Sequence, residues 1–121
     1  MTEHDEANLA LARSECAAFG NLIGTYRDGL KEFENGLRDA EAVAAGLEAA
    51  VRSADIEKRP QAVAELDQFM PFLLSLRVVV IKARAVVDTE CPKLEQKLIE
   101  AHELVRALEQ RSDASKRSVT H

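Results

Sequence analysis

From Leu9 to Ala54 the apolar residues recur at intervals of three and four with no slip. The positions are Leu9, Ala12, Cys16, Phe19, Ile23, Tyr26, Leu30, Phe33, Leu37, Ala40, Ala44, Leu47, Val51 and Ala54. This is the heptad repeat, abcdefg, whose a and d positions form one stripe along a helix and bury against a partner. Leu9 and Cys16 begin the a series, Ala12 and Phe19 the d series. A helix that stopped and restarted would have no reason to resume in phase, so the run predicts one helix over about 3–54. Gly20, Gly24, Gly29, Gly36 and Gly46 lie inside it, each at a cost of ~1 kcal/mol relative to Ala. They are expected to bend the helix near Gly20–Gly24 at most. Thr2, with Asp5 three residues on, fits a cap at its start.

A turn is expected at about 55–60, because Arg59 precedes Pro60 and Pro60 suits the first turn of a new helix. A second seam follows through Leu66, Phe69, Leu73, Leu76, Val80, Ala83 and Val87. A third, in a new phase, runs through Cys91, Leu94, Leu98, Ala101, Val105 and Leu108. Between Ala83 and Cys91 two four-residue steps come in succession, and Pro92 lies beside them; an interior proline removes a hydrogen bond and kinks a helix. The second half is therefore expected to be kinked or broken near 88–92, as a helix over about 61–88 and another over about 90–111. Residues 112–121 (SDASKRSVTH) are expected to be a flexible tail.

Two long helices joined by a short turn make an antiparallel hairpin, so the fold class is all-α with a coiled-coil seam. The mix of Ala, Leu, Glu and Arg, with no Trp and one Tyr, favours helix and leaves no convincing strand. In an antiparallel pair e faces e and g faces g. On the e edge Glu41 with Arg77 and Glu34 with Arg84 share one residue-number sum, as facing neighbours must. The g edge carries Leu22, Gly29, Gly36 and Val43 against Val86, Val79 and Phe72, again with one sum for Gly29–Val86, Gly36–Val79 and Val43–Phe72. One edge is thus charged and the other apolar, notched by glycine. Leu74, Val78 and Ile81 widen the apolar region. A stripe of that length is rarely left in water, so a second copy of the chain, in a bundle of helices, is expected to cover it.

The net charge is −5 and the basic residues are scattered, which argues against nucleic acid as a partner. Residues 1–8 are acidic and no apolar run follows, so no export signal is expected. The most apolar window, 69–87, holds Arg77, Lys82 and Arg84, each costing ~3 kcal/mol at mid-bilayer, so no membrane span is expected. Cys16 and Cys91 are then read as reduced core residues of a cytoplasmic protein.

Signals for chemistry are thin. His102 has no Glu three residues before it, as a di-iron bundle would require, and is read as a surface residue. No basic group or histidine is evident near either cysteine. No glycine-rich phosphate loop follows a strand. Neither a metal, a cofactor nor a catalytic residue is expected. The reading that results is a non-catalytic, self-associating interaction module, an adaptor, scaffold or small chaperone, with a homodimer favoured and room for a further protein partner. A first alternative is an oligomer that holds a small anion near Arg77, Lys82 and Arg84. A second is a helical enzyme or phosphotransfer module, which would need an exposed histidine or carboxylate cluster midway along a helix.

Overall fold

The computed structural model describes residues 2–119, with side chains described as far as Ala114. Two helices account for almost all of it: α1, Glu3–Ser53, and α2, Arg59–Val119. They pack antiparallel, and no strand occurs among the described residues. The hairpin expected from the heptads is what forms.

α1 begins as its sequence suggests. The Asp5 amide donates to Thr2 Oγ1 at 3.2 Å, satisfying one of the amides that a helix start leaves unpaired. Glu3, Asp5 and Glu6 in the first turn place negative charge at the positive end of the helix dipole. All five glycines lie inside α1, and none has a positive φ. Helix geometry therefore persists through Gly20–Gly24, where Thr25 Oγ1 also donates to the Asn21 carbonyl at 2.9 Å. The connection after Ser53 is short. The amides of Lys58 and Arg59 both donate to the Asp55 carbonyl, and the Arg59 guanidinium reaches the Ala54 carbonyl at 3.2 Å.

α2 corrects two expectations. Of the expected kink or break near 88–92, the break does not occur: α2 is one helix there, and Pro71 and Pro92 both lie inside it. Each proline removes one intrahelical donor, leaving the carbonyl four residues earlier, at Asp67 and Asp88, without that bond. Both prolines and both of those aspartates are exposed, so water can take the place of the lost donor. The residues beside them that hold the helix, Leu73 and Cys91, are buried. The helix also runs on to Val119, past Arg111 where the tail was expected to begin. Residues 112–119 contain neither Gly nor Pro to stop it, and include Ala, Lys and Arg, which favour helix. Residues 120–121 of the expected tail lie outside the described residues.

The chain divides into two compact units, one of residues up to Tyr26 with those from Asp88 on, the other Arg27–Val87. In the Arg27–Val87 unit Ala40, Ala44 and Leu73 form the buried centre, with Leu37, Phe69, Met70 and Leu76 packed around it. In the terminal unit Leu9, Ala12, Ile23, Cys91, Ala101 and Leu108 are buried. Every one of these except Met70 is a seam position. Tyr26 and Phe33, both at d, stay more than one-third exposed; a large ring overhangs a seam that only one facing helix covers. No helix among the described residues is long and apolar enough to cross a membrane.

Candidate functional site

In the Arg27–Val87 unit, α2 carries more apolar surface than α1 can cover. Residues 3.6 to a turn place three apolar stripes around α2 between Pro71 and Val87. The first is the seam, whose Leu73 and Val80 are buried. The second is the g edge, where Phe72 is 53% exposed and Val79 and Val86 also remain exposed. The third points away from the seam at i, i+4 and i+7: Leu74, Val78 and Ile81, with Ile81 65% exposed. On α1 of the same unit, Val43 is half exposed and Phe33 nearly so. Together these side chains leave on the order of several hundred Å² of apolar surface in water, comparable to the largest patch of an ordinary monomer.

Polar residues break this surface in only two lanes. Arg77 and Arg84 stand on the e edge, and the structure pairs them as their register requires: Arg77 with Glu41 at 3.6 Å and Arg84 with Glu34 at 3.8 Å. All four side chains are substantially exposed, so each pair contributes at most about 1 kcal/mol and acts chiefly on register. The other lane holds Ser75 and Lys82, between the g edge and the third stripe. Lys82 is exposed and no ion pair to it is found among the described residues. The expected anion-binding trio is therefore divided, with two members engaged by carboxylates and one alone.

Gly29 and Gly36 fall on the g edge as expected and are half-buried. A Cβ added at either would meet nothing within 4 Å. The packing of α1 on α2 thus does not require these glycines. The g-edge residues Gly29, Gly36, Val43, Phe72, Val79 and Val86 all belong to this unit, and the four with side chains are exposed.

Leu22 belongs to the terminal unit, where it is 46% exposed. That unit has an apolar-floored groove of about 350 Å³ lined by Asn8, Leu11, Ala12, Glu15, Leu104, Leu108 and Arg111. Arg111 is engaged with Asp5 at 3.8 Å, and Arg13 with Glu109 at 3.0 Å.

One contact in the terminal unit overturns a sequence expectation. Cys16 is only half-buried, and its Sγ lies 3.6 Å from His102 Nδ1. Sequence reading placed no histidine near either cysteine, since the two residues are 86 positions apart. A signal was nevertheless present: Cys16 and His102 share the residue-number sum of Glu41–Arg77 and Glu34–Arg84. Extending that register along the helices would have found the pair. Among the described residues no three His, Cys, Asp or Glu side chains come together as a metal site would need.

Comparison of the chain with protein-family models, curated proteins and solved structures gave no match.

Proposed function

We propose that the chain is a non-catalytic helical module for protein–protein interaction that works as a homodimer, an adaptor or scaffold in the cytoplasm. The observation that carries this reading is the doubly uncovered α2 segment 71–87, whose g edge and third stripe stay exposed after α1 has covered the seam. A hairpin gives each helix one neighbour. A coiled-coil bundle of two hairpins gives each helix two, and so buries a second stripe. The segment has no acidic residue, and between the g edge and the third stripe only Ser75 and Lys82 intervene, a pattern suited to a helix-on-helix contact. At ~25 cal/mol per Å² covered, burying this surface on both copies favours association, offset by the cost of immobilising the two chains. A stripe left over after dimerisation would be available to a further protein.

Sedimentation equilibrium of the wild-type chain beside Val79→Lys and Ile81→Lys tests this. The expected result is a dimer for the wild type, with monomers of unchanged helical content for Val79→Lys, because a lysine at a buried interface must be desolvated. Ile81→Lys distinguishes the two stripes: a monomer assigns the interface to the third stripe as well. A wild-type monomer at tens of micromolar overturns the proposal.

A further inference from the structure

We infer that Cys16 is a reactive thiol, with His102 as its proton acceptor, and that it forms mixed disulfides with disulfide reagents. The inference is independent of the interaction surface, since both residues lie in the terminal unit. The sulfur and the ring nitrogen belong to different helices and meet at 3.6 Å, a sulfur hydrogen-bond distance. A thiol beside an imidazole is the arrangement that activates cysteine nucleophiles, because the thiolate is the attacking species. With the ring proton on Nε2, Nδ1 is free to accept from the thiol. Access is also provided: Cys16 is half-buried and His102 is exposed. The contrast is Cys91, only 3% exposed and without a contact to histidine among the described residues. The charged residues within one helical turn of the pair are Arg13, held by Glu109 at 3.0 Å, and Glu15 on α1, and Glu100, Glu103 and Arg106 on α2.

In the reaction, His102 Nδ1 takes the thiol proton as Cys16 Sγ attacks one sulfur of the reagent. The reagent's S–S bond breaks, a new S–S bond forms at Cys16, and the departing thiolate leaves with the electron pair, while the imidazolium returns its proton to a basic leaving thiolate or, where the leaving group is a weakly basic aromatic thiolate, to solvent. No net oxidant is needed, because the reagent disulfide supplies one sulfur and releases the other as a thiol.

The test is the rate at which the full-length native protein reacts with a nitrobenzoate aromatic disulfide, followed by the colour of the released thiolate, with peptide mass spectrometry to assign the site. At pH 7 Cys16 should react first. His102→Ala and His102→Gln should each slow it on the order of tenfold or more. The difference should vanish above about pH 9, where an ordinary thiol ionises without help. Helical circular dichroism recorded on each variant shows that the hairpin is intact, and Gln preserves polarity and bulk if Ala loosens the helix pair. Equal rates for wild type and both folded variants at pH 7, or Cys91 modified ahead of Cys16, would overturn the inference. So would a slowing that persists unchanged above pH 9, since that would reflect access rather than proton transfer.

Discussion

At Gly36 the helix gives up about 1 kcal/mol of propensity with no clash to avoid inside the hairpin, since the space where a Cβ would stand is open. Gly36→Ala should therefore stabilise the chain by roughly 0.5–1 kcal/mol, read as a higher urea midpoint at unchanged slope. Gly36→Leu should keep the hairpin folded and lower only the dimer mass, because its Cβ meets nothing within one chain and the longer side chain overpacks a neighbouring helix. If Leu leaves the mass unchanged, the g edge at Gly36 is not where the second copy sits. The ion pairs are a different residue-scale matter. Glu34→Arg and Arg84→Glu should each cost a few tenths of a kcal/mol, with partial recovery in the double mutant, and a coupling energy of zero would mean that the 3.8 Å approach has no energetic weight. These pairs were legible because antiparallel register is arithmetic once the seam is known. Cys16–His102 is not legible in the heptad alone, because a seam position implies only that the residue fills the core.

α2 is where sequence rules and structure part. Interior proline acts locally as a helix breaker, and the two successive four-residue steps between Ala83 and Cys91 point the same way. The structure keeps α2 continuous, because both prolines sit on the solvent side while Leu73, Val80 and Cys91 bury beside them. Packing of the neighbouring seam outweighs a local cost of about 3 kcal/mol. It follows that these prolines remain a standing loss. Pro92→Ala restores a donor to the Asp88 carbonyl and should stabilise the chain by roughly 1–3 kcal/mol, read as a higher melting temperature. A lower one would show that a bend at 92 is needed for the packing of Cys91 and Leu94. By contrast α1, with an unbroken heptad and a cap, was predictable to within a residue at its start and end. The uncovered surface of α2 was legible too: the exposed g positions Phe72, Val79 and Val86 follow from counting sevens, whereas which protein covers them is not a property of one chain's periodicity.

For the molecule as a whole, one consequence lies in the short connection between Ser53 and Arg59. It sits within the Arg27–Val87 unit, whereas the two segments of the terminal unit are separated by that entire unit. Closing a loop costs entropy that grows with the logarithm of its length, so contacts such as those of Ala44 with Leu73 can form while Leu9 and Leu108 are still far apart in the ensemble. Folding is then expected to run outward from the turn, as a zipper closes. In pulse-labelled hydrogen exchange, amides near Ala44 and Leu73 should gain protection before those near Ala12 and Ala101; the opposite order would exclude a zipper. The reverse path has a chemical reading. The same terminal segments would open first on warming, and Cys16 would lose the imidazole beside it before the apolar surface of α2 loses its support.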